Sequence, residues 1–381
     1  MPVSDRLEPF GVTIFTEMSD LARKHDAINL GQGFPDWDGV DFVKEAAMKA
    51  MLVGGHDQYP PSAGIPGLRQ AIARHYGPLL GRSLDPDNEV TVTSGCTEGL
   101  AAASLGLINP GDEVVLIEPY YDAYPADVAL AGGVPRYVTL RPPDFALDLR
   151  ELEQALTPST KAIFFNNPHN PTGRVFTGEE LEGVASLCVE NDVIAISDEV
   201  YEEMTYDGNT HRRLATFEGM WERTITLSSL GKTFSLTGWK LGWAMGPAHL
   251  MSGLRAAHQF LTFTTPTPVQ HGAVAAFGAP RSFYDEMRAS YQSKRDLLAE
   301  GLQEYGFEVH LPQGTYFLMA GHPGKGDDRE FCFDLIERAG VVAIPPSVFY
   351  SDPESGSSMV RFAFCKGENT LQEALERMSR L

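Results

Sequence analysis

The sequence is short of basic residues and has no long apolar run. Its 30 lysine and arginine residues stand against 51 aspartate and glutamate residues, which gives a net charge of −21. Such an acidic chain argues against binding to nucleic acid or to an anionic membrane. No apolar stretch is long enough to span a bilayer, and residues 1–6 lack the apolar core of a signal peptide. We therefore expect a cytoplasmic protein with no membrane partner.

Cysteine is also scarce. The four cysteines are widely separated, and no two of them have C-x-x-C spacing: Cys96, Cys188, Cys332 and Cys365. This pattern predicts neither a zinc site nor a disulfide framework, so we expect no metal and a reducing compartment. Internal repeats and low-complexity tracts are absent from the sequence as well.

The glycines at Gly31 and Gly33 do not form a dinucleotide-binding fingerprint. No third glycine and no helix follow them at the required spacing. Two interpretations stay open for this segment, which continues into Phe34 and Pro35. It is either a tight turn or a loop whose backbone N–H groups face a ligand.

Strand-like runs alternate with helical patterns from about residue 88. This alternation predicts an α/β fold with a mostly parallel, seven-stranded sheet flanked by helices. After about residue 280 a long helix, short strands and two further helices predict a smaller α+β domain. We therefore predict a large domain over residues 40–280 and a small domain formed by residues 1–39 and 281–381. The seven strands are predicted at 90–93, 114–117, 136–140, 162–165, 193–197, 224–227 and 241–245.

Lys232 is the strongest candidate for covalent chemistry. It lies just after the apolar, β-branched run 224–227, among hydroxyl, glycine and aromatic residues. Most lysines are surface charges, but chemistry in α/β enzymes is concentrated at strand ends. In dry surroundings a lysine loses its proton more easily and becomes an amine nucleophile, as a Schiff base with pyridoxal phosphate requires.

Other strand ends carry candidate binding groups. The strand before Ser94 passes through Gly95 and Cys96 directly into a predicted helix, whose free N–H groups could bind an anion. The alternative is an ordinary helix cap by Ser94. Tyr121 follows the next strand, where its ring either packs in the core or stacks on a flat ligand.

Three further segments combine polar groups with apolar strands. Asn170 lies in a turn with two prolines, where it either caps the turn or donates to a ligand oxygen. Asp198 ends an apolar strand, where a carboxylate needs a cationic partner unless it caps a following helix. If a helix begins at Asp198, Tyr201 lies on the same face of that helix as Asp198. Arg361, within a short apolar strand, is either exposed or a clamp for a carboxylate.

Taken together, these segments resemble the fold-type I pyridoxal-phosphate aminotransferases of class I/II, along nearly the whole chain. The motifs that carry the resemblance are Asn170-Pro171-Thr172-Gly173, Asp198-x-x-Tyr201 and Ser229-x-x-Lys232 followed by Lys240. The segments 30–36, 57–59, 231–235 and 361–366 are similar to the glutamine transaminase K, kynurenine aminotransferase and methionine aminotransferase group.

The resemblance implies a set of residues that hold pyridoxal phosphate. Lys232 would carry the cofactor as a Schiff base and then move the proton of the substrate Cα. Asp198 would pair with the pyridine nitrogen, and Asn170 and Tyr201 would bind the 3′ oxygen. Stacking on the ring would come from Tyr121, where this group often has phenylalanine. The remaining implied residues serve the phosphate: Gly95, Cys96, Ser229, Lys240 and, from a second subunit of a homodimer, Tyr59.

The resemblance also implies the substrate-binding residues. Arg361 would clamp the α-carboxylate, with help from Asn170 and the loop at Gly33 and Phe34. Phe263 matches an aromatic residue that the family contributes across its dimer interface.

The predicted function is a ping-pong aminotransferase that exchanges an amino group between a large neutral or aromatic amino acid and a 2-oxo acid. Glutamine, methionine, phenylalanine and kynurenine represent the substrate type. No second arginine for a distal carboxylate is evident beside Arg361. Two alternatives remain: a C–S β-lyase acting on cystathionine or cysteine S-conjugates, and a pyridoxal-phosphate-binding regulator without turnover. The presence of both Lys232 and Arg361 argues against the regulator.

Overall fold

The computed structural model describes residues 3–380. Its strands are β1 Ile28–Asn29, β2 Val90–Thr93, β3 Glu113–Glu118, β4 Val134–Thr139, β5 Thr160–Asn166, β6 Ile194–Asp198, β7 Thr224–Ser229, β8 Gly242–Met245, β9 Glu308–His310, β10 Phe317–Gly321, β11 Val341–Val342 and β12 Met359–Ala363. Its α-helices are α1 Ile14–His25, α2 Asp41–Val53, α3 Pro66–Leu79, α4 Gly95–Leu107, α5 Ala123–Ala131, α6 Leu149–Ala155, α7 Gly178–Glu190, α8 Leu230–Thr233, α9 Ala248–Leu261, α10 Thr267–Ala276, α11 Arg281–Glu304, α12 Asp328–Ala339 and α13 Glu368–Met378.

Seven strands form the central sheet, in the order β2-β8-β7-β6-β5-β3-β4. Only β8 runs against the others, because it pairs antiparallel with both β2 and β7 while the remaining pairs are parallel. Strands β6 and β7 are buried along their whole length, as expected for a sheet covered by helices on both faces. The prediction of a mostly parallel, seven-stranded sheet flanked by helices is confirmed.

The parallel register brings the functional strand ends together. Asn166 at the end of β5 pairs with Asp198 at the end of β6. Strand β7 pairs with β6 and continues to Ser229, where α8 begins. Polar residues from three neighbouring strands therefore meet at one edge of the sheet, where open α/β sheets bind their ligands.

The C-terminal part forms a smaller layer beside this edge. Strands β9, β10 and β12 make an antiparallel sheet in which Arg361 pairs with Met319. Strand β1 of the N-terminal segment pairs in parallel with β11, which the sequence did not predict. The N-terminal segment therefore contacts the C-terminal layer, although the domain boundaries at residues 40 and 280 stay a prediction. Within the described residues, none of the helices combines the length and the apolar character that a bilayer crossing needs.

Helices α4 and α9 pack unusually closely because glycines face each other between them. A Cβ atom added to Gly106 would lie 2.2 Å from the carbonyl oxygen of Gly253. We expect Gly106→Ala to lower the free energy of unfolding by about 1–3 kcal/mol, because the helices must move apart. Urea unfolding followed by circular dichroism measures this effect.

Gly67→Ala is the matched control, because Gly67 also lies in a helix and a Cβ atom there meets nothing within 4 Å. It should change the stability by less than about 1 kcal/mol, and in the stabilising direction. Equal losses in the two variants would show that the close α4–α9 contact is not the cause.

Candidate active site

A cavity of about 400 Å³ lies between the carboxyl edge of the central sheet and the C-terminal layer. The residues predicted from the sequence for the cofactor and the substrate line it, except for Tyr59 and Phe263. These lining residues are Gly33, Phe34, Gly95, Cys96, Tyr121, Asn170, Asp198, Tyr201, Ser229, Lys232, Lys240 and Arg361.

Lys232 lies in the short helix α8 that follows β7. Its Nζ atom donates a hydrogen bond of 2.9 Å to the hydroxyl of Tyr316 and lies 5.4 Å from the centres of the Tyr201 and Tyr316 rings. Burial lowers the pKa of Lys232, and the nearby charge of Lys240 acts in the same direction. The side chain is therefore disposed to give up its proton and act as an amine nucleophile.

Lys240 and the start of α4 form a site for an anion. The Lys240 Nζ donates to the Thr97 hydroxyl at 3.2 Å, over the first turn of α4. Gly95 has φ +73°, and a Cβ atom there would lie 3.4 Å from Nζ. A Cβ atom at Gly242 would lie 2.7 Å from the Cys96 nitrogen, so the two backbones also approach closely. An ammonium group beside free helix N–H groups suits a phosphate.

Ser94 does not cap α4 with its side chain, contrary to one of the two interpretations of this segment. Instead, the carboxylate of Glu98 accepts a 3.0 Å hydrogen bond from the Ser94 N–H. The Glu98 side chain, from the first turn of α4, thus stabilises the start of the helix. The Ser94 hydroxyl is not needed as a cap.

Asp198 is a buried carboxylate at the end of β6. It accepts hydrogen bonds from the Tyr124 hydroxyl at 2.8 Å and from the Val200 N–H at 3.3 Å. Burial raises its pKa in spite of these donors. Among the described residues Asp198 forms no salt bridge. The chain turns after Asp198 and forms no helix that it could cap, which was one of the two alternatives, yet Tyr201 lines the same cavity.

Arg361 is a buried cation on the opposite wall, only 1% exposed. It donates to the Gly31 carbonyl at 2.9 Å and to the Asn170 side-chain oxygen at 3.3 Å. Its guanidinium lies 4.1 Å from the centre of the Phe317 ring, and its Nε has no partner among the described residues. Burial lowers its pKa to about 10, so Arg361 remains charged at neutral pH. Within residues 3–380 it has no carboxylate partner.

Tyr59 and Phe263 lie together, away from the cavity. Their ring centres are 5.5 Å apart and the rings are nearly perpendicular. Tyr59 is 84% exposed and Phe263 44% exposed. In a single copy of the chain they are not part of the site.

A separate buried cluster could bind a metal by its residue types. Oxygen and nitrogen atoms of Glu199, Glu202 and His211 lie within 4.8 Å of one another. The guanidinium of Arg213, however, lies 2.5 Å from a carboxylate oxygen of each glutamate. Arg213 already occupies one carboxylate oxygen of each glutamate, and its positive charge would repel a metal cation, so we assign no metal to this cluster.

The comparison with known families decides what kind of site this is. Residues 25–378 match the family model described as Aminotransferase class I and II. The chain belongs to this family. It is therefore an aminotransferase, as the sequence motifs indicated.

Individual relatives of this aminotransferase carry several names. A Mycobacterium tuberculosis protein named "Probable N-succinyldiaminopimelate aminotransferase DapC" is 47% identical, over 98% of this chain and 97% of that protein. Human kynurenine–oxoglutarate transaminase 1 is 41% identical, over 98% of this chain and 96% of that protein. The crystal structure of Escherichia coli YbdL, a protein identified as having a methionine aminotransferase function, aligns with TM-score 0.95 and 38% identity over all of both chains.

Two residues that contact the predicted site were not singled out from the sequence, Tyr316 and Asn166. Tyr316 links Lys232 to the loop at Gly33, because its hydroxyl donates to the Gly33 carbonyl at 2.5 Å. Asn166 accepts from the Asn170 N–H at 2.6 Å and donates to the Asp198 carbonyl at 2.8 Å. The position of Asn166 at a strand end was a usable signal, whereas nothing near Tyr316 in the sequence indicates its contact.

Proposed function

We propose that this aminotransferase binds pyridoxal phosphate in the cavity and transaminates large neutral and aromatic amino acids. One observation carries the proposal: two buried charges, Asp198 and Arg361, line the same cavity, and neither has an ion-pair partner among residues 3–380. A ligand with a protonated ring nitrogen and a substrate carboxylate would complement both. Bound pyridoxal phosphate supplies a ring that accepts the electron pair left when the substrate Cα loses its proton.

The residues at the sheet edge fit the ring of that cofactor. Asp198 would accept the pyridine N–H, and the new cation would bring the raised pKa of Asp198 down again. Asn170 and Tyr201 would bind the 3′ oxygen, and Tyr121 would stack on the ring. Lys232 would attach the cofactor covalently through its neutral Nζ.

The phosphate fits the anion site at the start of α4. The N–H groups of Gly95 and Cys96, the Ser229 hydroxyl and the Lys240 ammonium would bind it. This arrangement uses local cations and dipoles, which an acidic chain needs to hold an anion.

Lys232 and Tyr316 would handle the substrate proton. With cofactor and substrate in the cavity, the neutral Lys232 Nζ would be the base that takes the Cα proton and later returns it. The 2.9 Å contact with Tyr316 fixes the position of Nζ, and Tyr316 in turn is fixed by Gly33. The proton-carrying atom is thus held against the loop that borders the substrate.

The charges lining the cavity favour a neutral substrate side chain. Three basic side chains line it, namely Lys232, Lys240 and Arg361. The proposal uses one for covalent attachment, one for the phosphate and one for the α-carboxylate, so none remains for a distal carboxylate. The aromatic rings of Phe34 and Phe317 at the same cavity suit an apolar side chain.

The name of the M. tuberculosis relative supports a second candidate substrate, N-succinyldiaminopimelate. Its succinyl and pimelate parts bring additional carboxylates. These would require cations from outside the cavity lining, and for that reason we prefer the neutral amino acids.

A substrate panel tests the proposal. The purified holoenzyme is mixed with one amino acid at a time, and the cofactor absorbance and the 2-oxo acid product are followed. We expect glutamine, methionine and phenylalanine to react with kcat/KM at least about tenfold above N-succinyldiaminopimelate and aspartate. Reversal of this order would favour the second candidate, and release of pyruvate from cystathionine without an acceptor would favour the β-lyase.

A homodimer would explain the exposed positions of Tyr59 and Phe263. We propose that these two residues of each copy complete the site of the other copy. In a mixed dimer, the losses of Tyr59→Ala/Phe263→Ala and of Lys232→Ala should then fall on the same active site, which leaves the other site intact. Co-expression of the two variants should restore about a quarter of the wild-type activity, because half of the dimers are mixed. Activity no higher than that of the separate variants would contradict shared sites.

The cysteines bear on the compartment. All four are buried and unpaired. We propose that the enzyme is cytoplasmic, because cysteines stay reduced in the cytoplasm.

A further inference from the structure

His258 occupies an unusual position between the cofactor site and the exposed aromatic pair. It lies in the last turn of α9 and is fully buried. Its Nδ1 atom is 2.8 Å from a carboxylate oxygen of Glu98, and its Nε2 atom is 3.0 Å from the Ser62 carbonyl oxygen. The family motifs that identify the active site do not include this residue.

The two contacts determine the protonation state of His258. An ionised carboxylate and a backbone carbonyl are both acceptors, and a neutral imidazole can donate from only one nitrogen. The pair of His258 and Glu98 must therefore hold one additional proton, which makes it an imidazolium–carboxylate pair. Burial by itself would lower the pKa of His258, but the hydrogen bonds to Glu98 and Ser62 and the charge of Glu98 outweigh it and raise the pKa.

Each partner of His258 leads to a different part of the catalytic region. The second carboxylate oxygen of Glu98 accepts the Ser94 N–H, immediately before Gly95 and the proposed phosphate site. The Ser62 hydroxyl donates to the Phe263 carbonyl at 2.7 Å, and Phe263 packs against Tyr59. The His258 carbonyl itself accepts the Phe263 N–H at 3.1 Å.

We propose that His258 is a positioning residue that anchors the exposed Tyr59–Phe263 pair to the start of α4 through its ion pair with Glu98. The inference rests on the proposed function, in which that pair completes the site of a second copy. In the proposed dimer, Tyr59 and Phe263 serve the active site of the second copy. The anchor connects them to the phosphate site of their own copy. When His258 loses its additional proton, only one of its nitrogens can donate. The imidazole then either releases the Ser62 carbonyl or turns an unprotonated nitrogen towards an acceptor oxygen.

The pH dependence follows from the sign of the pKa shift. The charged groups that act on His258 are Glu98 from α4 and Arg255 from its own helix, and the loop before α3 contributes the Ser62 carbonyl. Because the folded-state pKa is raised, the anchor is complete below the ordinary histidine pKa of about 6.5. It is lost as the pH rises through the higher pKa of the folded protein.

Three variants of the holoenzyme test the anchor. His258→Gln lacks the charge and cannot donate in two opposite directions. Glu98→Gln keeps the contacts with a neutral imidazole, because its amide can donate to Nδ1 while Nε2–H donates to Ser62. His249→Gln, at an exposed position of the same helix, is the matched control.

The first measurement is hydrogen exchange by mass spectrometry at neutral pH, which needs no turnover. We expect His258→Gln to speed exchange in residues 58–65 and 259–265 by about tenfold, the loss typical of a charge-assisted hydrogen bond. His249→Gln should match the wild type. Equal exchange in His258→Gln and His249→Gln would overturn the proposal, whether or not any amino acid proves to be a substrate.

The second measurement is the KM for the best amino acid between about pH 6 and pH 10. As the pH increases, the KM of the wild type should rise about tenfold more than the KM of Glu98→Gln. The variant is a suitable reference because it shares every other titrating group with the wild type. This comparison tests the proposed anchor even if His258→Gln does not fold. An identical alkaline rise in Glu98→Gln and the wild type would refute the pH-dependent anchor, whereas failure of all amino acids to react would count against the proposed function alone.

Discussion

Replacement of Lys232 by alanine should reduce turnover by about 10⁴-fold or more, because the variant lacks the Nζ atom that we propose to attach the cofactor and to move the substrate proton. The remaining cradle should still bind the cofactor, since Asp198, Asn170 and Lys240 are untouched. The absorbance of the bound cofactor should therefore persist at a shifted wavelength while the steady-state rate falls to background. Stopped-flow mixing with methionine measures both effects in one experiment.

Lys325→Ala is the control for this prediction. Lys325 is an exposed lysine that lies outside the cavity lining, and its removal should leave the rate unchanged. A Lys232→Ala variant that retained more than about a hundredth of the wild-type rate would show that another base carries the proton.

Replacement of Arg361 by methionine should lower kcat/KM for amino acids by about 10³-fold, mainly through a higher KM. The reason is the loss of the buried cation that would bind the α-carboxylate. Cofactor affinity should change less than about threefold, because Arg361 does not belong to the cofactor cradle. Equilibrium dialysis of the cofactor and initial-rate kinetics separate these two effects.

Arg361→Lys tests whether the planar group matters as well as the charge. A lysine there keeps a cation but not the paired donors, so we expect a loss about tenfold smaller than that of Arg361→Met. Because burial lowers the pKa of Arg361, its charge costs folding stability, and neither variant should be grossly unstable. A similar rise in the cofactor dissociation constant and in KM would argue that Arg361 is structural.

Much of this site was predictable because its residues follow apolar strands. Asp198 and Lys232 come directly after buried runs, and a parallel sheet places the ends of such strands side by side. Local pattern alone was enough to place the strands within a few residues. The family resemblance added the order of the motifs, and the prediction of a cofactor site rests on that order.

The remaining contacts depend on how distant parts of the chain pack. Tyr316 is 84 positions from Lys232 and belongs to the C-terminal layer, so no periodicity places their polar atoms 2.9 Å apart. A turn follows Asp198 where the sequence left a helix open as an alternative, and Tyr201 lines the cavity without that helix. The charge state of His258 likewise depends on partners at Ser62 and Glu98 that only the folded structure brings together.

One measurement tests the central claim most directly. Sodium borohydride fixes pyridoxal phosphate on the lysine that carries it, and peptide mass spectrometry then locates the label. We predict that the label lies on Lys232 in the resting enzyme and disappears when methionine is added before reduction, because the amino group has passed to the cofactor. A label on another lysine, or one that persists on Lys232 after glutamine, methionine and phenylalanine alike, would contradict the account.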